Sequence, residues 1–320
     1  MIKSLCIVVL LLILPSLAFT QKARQRLPII DMHMHAHPAN RFGKVGLPNP
    51  ITGKPSAATN DEALLRAALK AMDHHHIVKA FASSYLDSVE RWRLAAPERI
   101  LGGAQIDVGI PIPDVARLRQ DFTAGRLGFM GEVGAQYLGL TPGDPVLEPY
   151  FALAEEFDIP VGIHTGISAP NTPYECCPKF RAALGNPLLL EDVLIRHPKM
   201  RLYLMHAGYP YLQETVALMS IYPQVYADLS AIDWIIPRAD FHAYLQALIR
   251  AGLGKRLMFG SDQMIWPEAI GMAIDGIESA RFLTPKQKRD LFYNNAVRFL
   301  RRKKEVNSAG AKVPGSRQGS

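Results

Sequence analysis

The chain runs to 320 residues, 48% of them hydrophobic, with a formal net charge of +7, which is length enough for one sizeable buried core. The positive charge belongs to the ends: residues 1–30 hold four basic residues and no acid, and residues 301–320 hold six against Glu305, leaving 26 basic and 28 acidic residues between them. A body without net positive charge, and without a basic stripe interleaved with aromatics, argues against nucleic-acid binding.

Lys3, an apolar run over residues 5–14 and the stretch PSLAFTQ, with small-residue cleavage points after Ala18 or Thr20, read as a signal peptide over residues 1–20. The run falls short of the ~20 residues a membrane span needs, and Pro15 interrupts it. Export to the periplasm or out of the cell is expected, with no stable membrane anchor after cleavage. Residues 21–300 then form the folded body. The basic stretch RRKKEVNSAGAKVPGSRQGS, residues 301–320, has the composition of a solvated, disordered tail.

Within the body, short apolar runs alternate with longer helical patterns. The strand candidates are LPIIDMH, IVKAFASS, RILGGAQI, RLGFMGEV, IPVGIH, RLYLMH, QVYADLS and RLMFGSD. Between them lie DEALLRAALKAM, DVARLRQDFTAG, VLEPYFALAEEF, LLLEDVLIRH, LQETVALMSIY and DFHAYLQALIRAG, with apolar residues at helical spacing. Asn60 or Thr59 can cap the first helix, and Asp114 with Pro113 suits the start of another. Eight such units predict an α/β fold, a (β/α)8 TIM barrel, with a last helix over residues 284–300 packed outside it. An open doubly wound sheet is the alternative, but no Gly-rich phosphate turn follows the first strand. Residues 36–58 and 166–187 make two long loops on the face where such barrels bind substrate.

His33 and His35 are two apart, so on an extended strand both side chains take one face. Glu132, His164, His206 and Asp262 stand at or just past the ends of the fourth, fifth, sixth and eighth strands, and the barrel brings all six to one mouth. Imidazoles and carboxylates gathered in a low-dielectric funnel cannot all satisfy one another, whereas a divalent cation satisfies them together. His37 continues the spacing but precedes Pro38, where a strand ends, so a loop or supporting position is expected. His74, His75 and His76 fall on the opposite face and are not counted with the site.

The set DMHMH, IHTG, LMHAGYP, GSDQMIWP and NNAVRFL resembles the amidohydrolase superfamily, and within it the amidohydrolase-related group of aminocarboxymuconate-type decarboxylases and metal-dependent hydrolases. The resemblance spans residues 28–300. It implies one metal held by His33, His35, His164 and Asp262, with His206 near the substrate. The segment GEVGAQY looks more like the TatD-type hydrolases, whose matching glutamate helps hold a second metal. Glu132 is therefore either a ligand or a carboxylate orienting a ligand histidine, and the count is one or two ions, Zn2+ first and Mn2+ second.

A bound divalent ion lowers the pKa of its water to ~7. Asp262 can then act as general base and acid, and His206 can polarise a carbonyl or hold a second ion. The expected reaction is hydrolysis of a C–O or C–N bond at a carbonyl carbon in a small ester, lactone or amide. Non-oxidative decarboxylation of an aromatic or unsaturated acid is the alternative, and a non-catalytic binding protein on the same barrel is the alternative from another class. Arg41, Lys44, Lys179 and Arg181 on the long loops are candidates to bind an anionic substrate, with solvation as the competing role. A homodimer through exposed helices would leave no motif. Cys176 and Cys177 are adjacent and close a strained ring, so no disulfide is expected.

Overall fold

The computed structural model describes residues 27–300; the export signal and basic tail expected at the termini lie outside the described residues. Eight parallel strands form one sheet in chain order: β1 (Ile29–His35), β2 (Ile77–Ser84), β3 (Ile100–Ile106), β4 (Phe129–Val133), β5 (Pro160–His164), β6 (Arg201–Met205), β7 (Tyr226–Asp228) and β8 (Leu257–Met258). Each overlaps one of the eight predicted runs. The seam closes where the Met32 N–H donates to the Phe259 carbonyl (2.9 Å) and the Ser261 and Asp262 N–H groups donate to His33 O (3.2 and 2.8 Å). The fold is the expected (β/α)8 barrel.

Around it run α1 (Asp61–His75), α2 (Leu86–Ala95), α3 (Val115–Thr123), α4 (Glu148–Phe157), α5 (Thr172–Glu175), α6 (Glu191–Arg196), α7 (Leu212–Ile221), α8 (Arg238–Arg250), α9 (Ala269–Glu278) and α10 (Pro285–Arg289). Asn60 caps α1 by accepting from the Ala63 N–H at 2.9 Å, and Asp114 caps α3 through Arg117 N–H at 3.0 Å. These side chains replace the backbone acceptors that a first helical turn lacks. Sequence periodicity did not pick out α2 or α9. The first buries only Ser88, Val89 and Trp92, a narrow stripe, whereas the second, AIGMAIDGIE, buries Ala269, Ile270, Ala273, Gly276 and Ile277 at helical spacing, a face masked in the sequence by the apolar Met272 and Ile274 outside it. Among the described residues no helix is long and apolar enough to cross a membrane.

The closing segment begins at Thr284 with a capping box to Gln287. It passes through a π-helical turn at Asp290–Asn294 and continues to Leu300. Phe299 and Ala296 enter the inner cluster of Ile30, Met32, Phe81, Phe129, Tyr203 and Met258. This final helix therefore closes one end of the barrel and leaves the other for the polar residues.

Strand irregularities turn those polar residues inward. On β1, Ile30 and Met32 belong to the inner cluster and Met34 to the outer, and the pairing with β2 shifts between Asp31 and Met34. A strand keeping strict alternation would send Met32 and His33 to opposite sides. The shift lets His33 and His35 follow Met32 into the barrel. The same happens on β4, where Phe129 is inside, Val133 packs outside, and register slips between Met130 and Val133, turning Glu132 inward.

One expectation is corrected. Cys176 and Cys177 are joined as a disulfide across neighbouring residues, with Cα atoms 3.8 Å apart. Ring closure alone disfavours this bond, but α5 ends here: both the Cys176 and Cys177 N–H groups turn back to Thr172 O, which folds the two residues into one tight turn. The α1 end is as expected, away from the site: the His76 N–H bonds to the Asp73 and Met72 carbonyls, and its own carbonyl accepts from Ile29 N–H at the start of β1.

Candidate metal centre

All six residues singled out at the strand ends come together, each between 1% and 7% exposed. His33 Nε2 lies 3.1 Å from His35 Nε2, and His35 Nε2 lies 3.1 Å from Asp262 Oδ1. On the other side the His164 and His206 rings stand 4.8 Å apart. Glu132 sits between the pairs. Its Oε2 is 3.5 Å from His35 Nε2 and 3.9 Å from His33 Nε2, while its Oε1 is 3.4 Å from His206 Nε2 and 4.0 Å from His164 Nε2.

The surroundings fix which nitrogen of three histidines faces this centre. Gln136 spends its amide N–H groups on the carbonyls of Gly166 (3.0 Å) and Arg181 (3.3 Å), so its Oε1 must be the atom 2.9 Å from His164 Nδ1. The proton is therefore on Nδ1, and His164 Nε2 carries a lone pair. His206 Nδ1 donates to Ser230 O at 3.0 Å, with the same result. The Ser230 hydroxyl donates to Asp228 Oδ1 at 2.6 Å, so its oxygen accepts from His33 Nδ1 at 2.8 Å. Asp228 Oδ2 stands 3.4 Å from the same nitrogen.

Charge follows this geometry. Burial works against a protonated His33, but Asp262, Asp228 and Glu132 around it push its pKa up to about 10. Burial pushes His164 down to about 4, so it is neutral at working pH. Burial raises Glu132, yet the His206 contact and the other three imidazoles outweigh it and bring the carboxyl to about 2. Asp262 is held well below the carboxylate range in the same way, by His33 and His35 against burial.

The donor set fits a divalent metal. Two imidazole Nε2 atoms at 3.1 Å cannot aim lone pairs at each other unless a proton or a cation lies between them, and Asp262 Oδ1, buried 3.1 Å from His35 Nε2, makes no well-aligned hydrogen bond. His33, His35 and Asp262 form one group of converging ligand atoms, Glu132, His164 and His206 form another, and His33, His206 and Asp228 form a third that links the two. Imidazole and carboxylate are the ligands that suit Zn2+.

The other candidates fall at different places. His37 is buried, stacks on His35 at 4.3 Å and shares Nδ1 with Ser84 Oγ at 2.8 Å. Burial, and then His35 and Arg41, hold it well below the usual imidazole value. Arg41 donates to Val108 O at 2.8 Å, with Asp107 at 3.5 Å and Tyr85 beneath it. Arg181 turns back to the carbonyls of Pro178 and Phe180 on its own loop, and Lys44 and Lys179 are exposed.

Sequence reasoning missed Asp228, Ser230, Gln136 and Tyr137. Asp228 and Ser230 had a signal, an acid and a hydroxyl two apart at the end of the predicted seventh strand, one face and one level with the ligands. Gln136 and Tyr137 lie in GEVGAQY, a few residues past Glu132, in a stretch whose local pattern carries no ligand signal beyond the glutamate.

A family model described as amidohydrolase matches residues 30–302. Among curated proteins, Protein fluG of Emericella nidulans is 25% identical over 114 residues, which is 36% of this chain and 12% of that protein. Among solved structures, a probable 2-pyrone-4,6-dicarboxylic acid hydrolase from Acinetobacter baumannii, with citric acid bound, is 14% identical with a TM-score of 0.60, covering 85% of this chain and 98% of that one. A 2,6-dihydroxybenzoate decarboxylase from Rhizobium is 15% identical with a TM-score of 0.54, again over 85% and 98%. At these identities the likeness is one of fold.

Proposed function

Because the chain belongs to the amidohydrolase family and is an enzyme of it, we propose that it is a metal-dependent hydrolase acting at the carbonyl carbon of a small ester, lactone or amide. The observation that carries this reading is Glu132, one carboxylate with an oxygen toward each of two histidine pairs. His33, His35 and Asp262 would hold one ion, His164 and His206 a second, with Glu132 between. Zn2+ is the first choice and Mn2+ the second. When bound, such ions supply Lewis acidity and a water of lowered pKa.

The chain's own groups do the rest. Asp262 is buried beside His33 and His35 and its carboxyl stays ionised, so the carboxylate could take a proton from the nucleophile and return it to the leaving group. Ser230, Asp228 and Gln136 hold the ligand rings in one tautomer, which keeps the geometry from relaxing during the reaction. The exported location read from the leader is supported by the Cys176–Cys177 disulfide, a bond favoured in oxidising compartments.

Decarboxylation of an aromatic or unsaturated acid is the second reading, favoured by Arg41, whose Nε is buried without a partner and suits a carboxylate. The test is a panel of small esters, lactones, amides and aromatic acids with and without chelator, scoring acid release and CO2 release separately. Chelator-sensitive acid release, restored by zinc or manganese and lost in Asp262→Asn with metal retained, supports hydrolysis. CO2 release would replace it with the second reading, and full turnover by Asp262→Asn would remove the proton-transfer role.

A further inference from the structure

Gln136 secures one nitrogen of His164, and the next residue in sequence faces the other: Tyr137 Oη lies 3.1 Å from His164 Nε2. We infer that Tyr137 is a further substrate-contact residue, whose hydroxyl donates a hydrogen bond to a carbonyl or carboxylate oxygen of the molecule bound beside His164. This rests on the metal-dependent reading above.

The hydroxyl has one proton and two claimants. His164 Nε2 presents a lone pair, because Gln136 fixes the proton on Nδ1. The other claimant is Ser168 Oγ at 2.9 Å. Thr172 Oγ1 is 2.7 Å from Ala169 O, which can only accept, so the threonine proton goes there and its 3.0 Å contact with Ser168 takes the serine's proton. Ser168 then faces Tyr137 as an acceptor. A cation on His164 Nε2 uses up that lone pair and leaves Ser168 Oγ as the one acceptor among the described residues that an incoming oxygen must displace, with the phenol next to the atom that looks into the centre.

Two features suit a donor in that place. The ring is fixed before anything binds, edge-on to His164 at 4.8 Å between centroids and against Phe180 at 5.3 Å, so little side-chain freedom is lost on contact. A phenol, with an ordinary pKa of about 10, keeps its proton at working pH. A group of this kind stabilises charge developing on a substrate oxygen because it needs no rearrangement.

The experiment uses the mature protein loaded with Co2+, as wild type and Tyr137→Phe, titrated with acetohydroxamate and followed by visible absorption, with metal content measured in parallel. The expected result is unchanged metal content and ligand-free spectrum in Tyr137→Phe, with hydroxamate affinity weaker by about tenfold, the usual worth of a hydrogen bond to a charged group. Equal affinity in the two proteins overturns the inference, as does a wild type that holds metal but takes up no hydroxamate. Loss of metal in the variant also overturns it, because Tyr137 would then act only through His164. A wild type that takes up no metal removes the metal reading itself, and this inference with it. Should Tyr137→Phe fail to fold, Ser168→Ala serves: it removes the competing acceptor, so binding at least as tight as wild type is expected and weaker binding overturns the inference.

Discussion

Glu132 and His206 meet through a single carboxylate oxygen, Oε1 at 3.4 Å from Nε2, which leaves the second oxygen turned toward His35 at 3.5 Å. An amide in place of that carboxylate keeps the shape but offers one oxygen and one NH2, and an NH2 has no lone pair to give an ion. Glu132→Gln should therefore lower the metal content of zinc-reconstituted protein from two ions per chain to one or fewer, measured by elemental mass spectrometry. One ion in both proteins would make Glu132 a carboxylate that orients histidines and would put the decarboxylase reading level with hydrolysis.

Gln136 makes a sharper claim on a single ligand. Its amide is oriented by two backbone carbonyls and in turn sets the His164 tautomer. Gln136→Leu frees the imidazole to place its proton on either nitrogen, and loss of such a supporting group typically costs about 10–100-fold in metal affinity. Chelator competition should show that loss in one of the bound ions while the other is held as before. An unchanged titration would mean that packing alone orients His164.

The barrel was legible because eight apolar runs separated by amphipathic stretches admit few other architectures, and the six metal-centre candidates because each stands at a strand end. Their mutual arrangement was not. Period-two reasoning keeps His33 with His35 but says nothing of the slip between Asp31 and Met34 that lets Met32 and His33 share a side, nor of the one at Glu132. Pairing of His164 with His206, and not with the β1 histidines, depends on barrel circumference and strand order and has no local signature. Arg181 illustrates the reverse: a loop cation suggests an anion partner, whereas the folded loop supplies carbonyls closer at hand.

The histidine charges predict a pH signature. In metal-free protein the His33 pKa stands near 10 against 6.5 in an unfolded chain, so its contribution to stability is complete below about 6.5 and lost as pH rises through 10. Glu132 has the opposite sign: lowered to about 2 from 4.5, it contributes above about 4.5 and loses that contribution as pH falls through 2. From these two groups, chelated protein should melt highest between pH 4.5 and 6.5 and less well toward pH 10. Metal takes the place of the His33 proton, so loaded protein should lack the alkaline decline and zinc binding at pH 7 should release protons. Melting curves that fall in parallel with and without chelator would show that His33 is not where the ion and the proton compete.

Close packing behind the centre gives a last test. At Gly260 an added Cβ would stand 2.9 Å from His33 Cβ and 3.0 Å from Ser230 Cβ, both rooted in barrel strands or their immediate extensions and unable to swing away. Gly260→Ala should therefore cost about 1–3 kcal/mol of stability, the range for overpacking a filled interior. It should also weaken metal binding, because pressing His33 and Ser230 apart stretches the 2.8 Å contact that fixes the His33 tautomer. Gly143→Ala is the matched control: its added methyl would meet only Asp192 Cβ at 4.0 Å, and a change within about 0.5 kcal/mol is expected. Thermal melts and zinc titrations of the two variants separate the effects. A Gly260→Ala protein that is destabilised yet binds zinc as wild type does would mean that the ion, and not Ser230, fixes the position of His33.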